Sequence, residues 1–358
     1  MTPRNPAAPK VTVVVAVRDH YGPTLNTVGA ILDSVTDDVP VLVVAGGMPR
    51  SDRRQLESLD RVRVIGPRHH LMANTARNIA LEQVTTPLVA FVDNDTMPEQ
   101  NWLTSLVGTL ETHGATAVMA LVLERFGSRG EKRIHLSGGE CRIEETTSGR
   151  RFVEYHRHLH ASTEMVAGLA VEQIHLLEFH CALYDREKLS ALGAFDEQLE
   201  AQGEHLDLTL RIEQSGGSIW LDPRARVTVE FPTSLGWRDI SMYVGRWSPM
   251  INRRSRARFV EKWNIIDDHE LDSIWRFAEI ARSYPLLRLA GWVQQVTGRW
   301  TAEGIAQRME RFVGRYVADI FLRTSPSWRN CRRSALAKST ATRQLSEHTS
   351  KMPPVDRN

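Results

Sequence analysis

Over its first hundred residues the chain alternates short apolar runs with amphipathic stretches. Residues 11–17, Val-Thr-Val-Val-Val-Ala-Val, are almost wholly β-branched, the pattern of a strand buried on both faces. The polar turn Arg18-Asp19-His20-Tyr21-Gly22-Pro23 follows, then a helical period from about residue 24 to 35. A second buried strand at 39–45 closes on Gly46-Gly47, a charged helix spans 51–59, and a third short strand spans 62–65. Residues 74–83 predict a helix leading into the apolar run 88–92. Strands alternating with helices predict an α/β fold with a Rossmann-like, mostly parallel sheet and helices on both faces.

Farther on the pattern loosens. A strand is expected at 117–123, whereas 124–165 is polar and rich in Gly, Arg and His and reads as loop with short strands. A mixed strand at 174–184 precedes a short helix at 186–192, a turn at 193–197, and a helix from 204 to about 215 stopped by Gly216-Gly217. Strands at 218–221 and 226–231 flank Asp222-Pro223. Beyond Pro232 the chain turns helix-rich, with amphipathic stretches at 277–289, broken at Pro285, and at 302–322. The expected organisation is a disordered start at 1–10, one α/β domain at 11–235, a helical C-terminal region at 236–323 and a basic, disordered tail at 324–358.

Composition changes this picture little. The 42% hydrophobic and 25% charged content is that of a soluble globular protein, and Lys+Arg 45 against Asp+Glu 43 gives no bulk reason for a polyanionic partner. Three widely spaced cysteines suggest no disulfide framework, which fits a reducing, cytoplasmic setting. Residues 1–10 do not read as a signal peptide, and the longest apolar runs are too short to span a bilayer. Charge is uneven, however. Arg246-Trp247, the arginines at 253–258, and Trp328 with Arg329, Arg332 and Arg333 suit peripheral contact with anionic headgroups at the inner membrane face, and equally suit a solvated helix face or an anionic acceptor. No nucleic-acid module accompanies them.

The chemistry concentrates where the strand at 88–92 ends in Asp93-Asn94-Asp95. Along an extended chain the two aspartates fall on one side, and paired carboxylates suit a hard divalent cation. Met97-Pro98-Glu99 then predicts a helix start. The tip lies where an open α/β sheet is expected to bind a ligand. His135, His156, His158 and His160 lack cysteine partners and clean helical spacing, and read as solvated loop residues.

The motifs in order resemble the family 2 glycosyltransferases, which have the nucleotide-sugar-binding GT-A fold. The resemblance runs from about residue 11 to 265 and rests on Val-Val-Val-Ala-Val-Arg-Asp at 13–19, Ala-Arg-Asn at 76–78, Val-Asp-Asn-Asp at 92–95, Gly-Ala-Phe-Asp-Glu at 193–197, Gly-Glu-His-Leu-Asp-Leu-Thr-Leu-Arg at 203–211 and Phe-Val-Glu-Lys-Trp at 259–263. It implies a metal-dependent, inverting transferase that moves a sugar from a nucleotide-diphosphate donor to a hydroxyl acceptor, whether a glycan, a lipid-linked sugar or a small molecule. Mn²⁺ or Mg²⁺ would be held by Asp95 with Asp93, and with Glu230 as a third oxygen ligand. The donor would meet Val17, Arg18, Asp19, Arg77, Asp93 and Asn94.

The resemblance places the general base at Glu204-His205, with Asp207 second; where relatives often carry Glu-Asp, this chain has a histidine. The base-contacting aspartate usual after the second strand is also replaced, by Ala45-Gly46, which leaves the nucleotide open. A non-catalytic nucleotide-sugar-binding relative of the same fold is the alternative, and the presence of both Asp93 and Asp95 argues against it.

Overall fold

The computed structural model describes residues 9–126, 130–230, 235–298 and 301–331. The expected disorder at 1–8 and 332–358 lies outside the described residues. Among the described residues twelve strands form in chain order: β1 (Val11–Ala16), β2 (Val41–Val44), β3 (Val62–Ile65), β4 (Leu88–Asp93), β5 (Thr96–Pro98), β6 (Ala117–Phe126), β7 (Glu131–Leu136), β8 (Gly139–Thr146), β9 (Gly149–His156), β10 (Glu172–Ile174), β11 (Cys181–Asp185) and β12 (Ile219–Val229). Ten build one sheet with its main path in the order β10-β12-β6-β11-β4-β1-β2-β3, while β8 and β9 pair as a separate hairpin.

The half β3-β2-β1-β4 is parallel, with Val13 beside Val41 on one side and Ala90 on the other. Every residue of β1, β2 and β4 is buried, because helices cover both faces. β-Branched runs favour the extended backbone and supply that two-sided core. One face packs Val13, Val15, Val43, Ala90 and Trp102, and the other Val14, Val44, Val89, Phe91 and Tyr184. The fold is thus an α/β arrangement around a sheet with a parallel half, followed by a helical C-terminal region.

Three local outcomes differ from the sequence reading. Residues Thr96–Pro98 do not start a helix; they pair antiparallel with β12, Thr96 opposite Val229, and the helix begins at Trp102 after Asn101 in the left-handed region at φ 64°. Ladder bonding to β12 outweighs the local preference of Pro98. Where two strands were expected at 218–221 and 226–231, Ile219–Val229 is one long strand with a bulge between Asp222 and Arg226; residue 231 lies outside the described residues. Within the polar stretch 124–165, β7, β8 and β9 are regular strands, and β8–β9 pair along their full length.

The C-terminal helices pack beside the sheet, with Ile251, Leu322 and Trp328 against Met72 and Ala201. Residues 326–331 are helical, and Trp328 is fully buried, its Nε1–H donating to Ser241 O at 2.7 Å. Arg246 and Trp247 are buried as well. The arginines at 253–258 are paired internally: Arg253 with Asp319, Arg254 with Glu200, Arg256 with Asp267 and Asp272, and Arg258 with Asp196. Trp247 and Trp328 are therefore core residues and the arginines at 253–258 are paired within the fold, with the Arg253 and Arg254 side chains still largely exposed; Arg332 and Arg333 lie outside the described residues. Among the described residues no helix is long and apolar enough to cross a membrane.

Candidate functional site

A cavity of about 590 Å³ opens at the carboxyl ends of β1 and β4. Its lining includes the strand-tip residues Arg18, Asp19, Asp93 and Asp95 and, across from them in sequence, Glu204 and His205. β1 and β4 are neighbours in parallel register, Ala16 beside Asp93, so the chain leaving each strand emerges at the same edge. That places the polar turn after β1 against the acidic tip after β4.

The tip is held by a dense charge network. Arg18 bonds Asp93 through Nη2 and Asp19 Oδ2 through Nη1, the latter at 3.2 Å. Arg77, fully buried on the helix Ala73–Leu81, donates to Asp93 Oδ1 at 3.3 Å, and its guanidinium lies 4.4 Å from the Phe179 ring centre. His180 Nδ1 lies 3.3 Å from Asp93 Oδ2. Burial pushes the Asp93 carboxyl up, but Arg18, His180 and Arg77 outweigh it and hold the group far below the usual carboxylate range.

Asp95 stands differently. Among the described residues its side chain has only a long contact from Thr96 Oγ1 at 3.5 Å, yet Asp95 is buried. One ligand-type atom from each of Asp93, Asp95 and His180 lies within 4.8 Å of the others, an oxygen-rich set of the kind a divalent cation takes. His180 belongs to this group without any sequence motif announcing it; the antiparallel pairing of β11 with β4, Cys181 opposite Val92, brings it there.

The remaining donor-side candidates divide. Asn94 spends its amide on the scaffold, accepting from Arg18 N at 2.9 Å and donating to His20 O at 2.6 Å, so it staples the first turn to the tip. Val17 is buried and its N–H donates to Val44 O at 3.1 Å. Asp19 adopts φ 60°, a conformation aspartate tolerates better than most residues, and its Oδ1 is buried without a hydrogen-bond partner among the described residues. Glu230 is adjacent to Asp95 through the backbone, its N–H donating to Asp95 O at 2.9 Å, but its half-exposed carboxylate pairs with Arg125 at 3.2 Å, outside the clustered group.

On the opposite wall, Gly203 starts the helix Glu204–Gln214 at φ 80°, and a Cβ there would press on Trp275 and Phe259. Only glycine allows both the left-handed turn and the close aromatic cover. Glu204 is buried and meets Arg246 Nη2 at 3.4 Å, while its Oε2 has no partner among the described residues. Asp207 points away from the cavity: it is fully buried, accepts from Trp263 Nε1 at 3.1 Å and Arg211 Nε at 2.9 Å, and pairs with Lys262 at 2.7 Å. Lys262 also bonds Asp196 at 3.0 Å, so the Phe-x-x-Lys-Trp segment ties the acidic helix to the turn before it.

His205 lies among acids. Its Nε2 is 3.5 Å from Glu178 and 4.0 Å from Glu154. Burial pushes the imidazole pKa down, but Glu178 and then Glu154 outweigh it and raise it to about 9. His205 is therefore an imidazolium near neutrality, unable to accept a proton until it has lost one. Glu178 and Glu154 are themselves held below the ordinary range, burial pushing them up and the surrounding histidines outweighing it, Glu154 at about 2.

Sequence reasoning missed Glu154, Glu178, His180 and Arg246. Arg246 lies at the end of the helix Ile240–Arg246, donates to Asp19 Oδ2 at 3.0 Å and to Glu204, and so bridges both walls. Its guanidinium lies 4.9 Å from the Trp247 ring centre; the sequence reading noted this Arg-Trp pair and left membrane contact, a solvated helix face and an anionic acceptor equally open.

Comparison with known proteins bears on the fold and the family. Over 238 residues the chain is 26% identical to the pre-mycofactocin glycosyltransferase of two Mycobacterium tuberculosis strains, a match covering 65% of this chain and 46% of the relative; the chain thus spans about half the length of the curated relatives it matches. The crystal structure of GalNAc-T7 with UDP, GalNAc and Mn²⁺ superposes with a TM-score of 0.53 at 16% identity, covering 88% of this chain and 58% of that one, which shows a shared fold. Residues 12–193, just over half of the 358, match the family described as glycosyl transferase family 2, and the chain belongs to that family.

Proposed function

We propose that this protein transfers a sugar from a nucleotide-diphosphate donor to a hydroxyl acceptor by direct, inverting displacement in the cavity above β1 and β4. One observation carries the reading: a single cavity joins the Asp93–Asp95–His180 group, the guanidinium groups of Arg18, Arg77 and Arg246, and the part-free carboxylate of Glu204. The relatives are glycosyltransferases by name, and the GalNAc-T7 structure contains a nucleotide and Mn²⁺.

The residues fit a divalent ion, Mn²⁺ or Mg²⁺. Asp95 is the more available carboxylate and would be the principal ligand, with His180 beside it; Asp93, already engaged by two arginines, would orient them and complete the set. When bound, such an ion neutralises charge developing on the leaving diphosphate. Glu230 would join only by leaving Arg125.

Arg18, Arg77 and Arg246 supply fixed positive charge for the diphosphate and cost little reorganisation, because Asp93, Asp19 and Glu204 already hold them in place. Asp19, with its unpartnered oxygen, and the backbone at Val17 would meet the nucleoside. Glu204 accepts the acceptor hydroxyl's proton through Oε2. His205, kept protonated by Glu178 and Glu154, orients the acceptor and is not itself the base. Asp207 is a positioning residue for the helix that carries Glu204.

The test is a panel of uridine, guanosine and thymidine diphosphate sugars with Mn²⁺ or Mg²⁺, read for diphosphate release with and without sugar acceptors. Release that requires the divalent ion, vanishes in Asp95→Ala and gives product of opposite anomeric configuration by NMR is expected. Undiminished release from Asp95→Ala would overturn the assignment.

A further inference from the structure

Beside the proposed transfer site the cavity wall carries a second set of ligand-type side chains. Glu124 on β6, His135 on β7 and His160 in the segment after β9 each offer one donor atom, all within 4.8 Å of one another. Glu124 Oε2 is 2.8 Å from His135 Nδ1, and Oε1 is 2.7 Å from His160 Nδ1. The two imidazoles therefore converge on one buried carboxylate, although the sequence had read both as solvated loop residues.

The fold builds this convergence. β6 and β7 are antiparallel neighbours, Glu124 opposite Arg133, which sets Glu124 and His135 side by side. His160 is turned toward them by a left-handed backbone at φ 59°, and its N–H donates to His135 O at 3.3 Å. Non-glycine residues adopt that region rarely and usually where the surroundings impose it. Arg133 Nε also donates to Glu124 Oε1 at 2.5 Å, the kind of outer partner that orients a ligating carboxylate.

We propose that Glu124, His135 and His160 form a second divalent-metal site, selective for zinc, distinct from the Asp93–Asp95–His180 group. Two imidazoles and one carboxylate, with a remaining position toward the cavity, form a donor set that suits zinc. The inner group, with two carboxylates and one imidazole, is harder and suits Mn²⁺ or Mg²⁺. The two groups touch: the His135 and His180 rings are 5.2 Å apart, so an outer ion adds positive charge to the same cavity. The inference concerns metal binding and holds whether or not the glycosyl-transfer reading does.

The test is zinc binding by the metal-free full chain, measured by competition with a chromophoric chelator, with cobalt substitution to read four-coordinate absorption. Wild type is expected to bind an outer zinc that survives Asp95→Ala and gives the tetrahedral cobalt spectrum. His160→Ala, at a half-exposed ring and so compatible with folding, and the near-isosteric Glu124→Gln should each weaken that ion at least about tenfold and abolish the spectrum, with circular dichroism unchanged. Wild-type zinc affinity and spectrum in both variants would overturn the proposal, as would loss of all zinc binding in Asp95→Ala.

Discussion

Both walls of the cavity are built from paired charges, but guanidinium groups lead on one and carboxylates with imidazoles on the other. On one side Arg18, Arg77 and Arg246 converge, each fixed by a carboxylate. On the other, Glu154, Glu178 and Glu204 surround His156 and His205. The arginine wall grows mainly from the tips and flanks of buried parallel strands, whereas the acidic wall comes from a separate hairpin, the segment before β11 and a glycine-started helix. In the proposed reading the guanidinium side receives the donor's diphosphate, while the part-free carboxylate of Glu204 faces the same cavity for proton transfer.

The largest effect should come from the junction of the walls. Asp95→Ala removes the most available carboxylate of the tip while leaving the Asp93–arginine network intact, so folding should persist. Turnover should fall about a thousandfold or more, the scale of several kcal/mol of lost charge stabilisation. Steady-state diphosphate release measures it, and a fall of only a few fold would mean that the arginine wall alone carries the leaving group.

How far each wall was legible follows from how it is made. β1, β4 and the Asp93–Asp95 tip were readable because continuous β-branched runs ending in acid admit few alternatives. Arg77 was readable through its motif on a helix. His180 and Glu178 were not, since their position depends on antiparallel pairing of β11 with β4 across almost ninety residues of sequence. Glu154 sits on a hairpin strand whose polar, arginine-rich sequence lacks the apolar alternation that marks a strand. Met97-Pro98 misled for a related reason: a local helix-start signal lost to ladder bonds with a distant strand.

Arg246 is the one cation of the arginine wall that comes from the C-terminal helices, and this dependence can be broken from a distance. Trp328 packs directly on Gly245, where a Cβ would stand 2.1 Å from the indole, and lies 4.9 Å from the His70 ring centre. Trp328→Ala should cost about 3–5 kcal/mol of stability, as for other fully buried aromatics, read as a lower denaturant midpoint. Gly245→Ala should cost about 1–3 kcal/mol by overpacking against the same ring. Stability unchanged in both would mean that the helices do not brace this wall.

Glu204→Gln sharpens the comparison from the other side. The amide keeps the contact volume and can still accept from Arg246, but it cannot take a proton. Transfer to acceptor should fall about a hundredfold or more while donor affinity, measured by calorimetry, stays within a few fold. Equal loss of both would place Glu204 with the donor wall.

The smallest effect tests the charge state of the acidic wall. His205, raised from 6.5 to about 9 against the opposition of burial, binds its proton more tightly folded than unfolded. Its contribution to stability is therefore fully present below about pH 6.5 and is lost as the pH rises through about 9. His205→Gln should flatten the decline of unfolding free energy across that window without removing it, because His156, which burial pushes down but Glu154 outweighs, is raised as well. Glu178→Gln should lower the His205 pKa seen by NMR titration, since Glu178 is the strongest of the groups that raise it. If instead His205 titrated near its ordinary value, it would be neutral at pH 7 and free to accept a proton. The proton would then pass to the imidazole rather than to Glu204, and the division of labour between the two walls would have to be redrawn with His205 as the base.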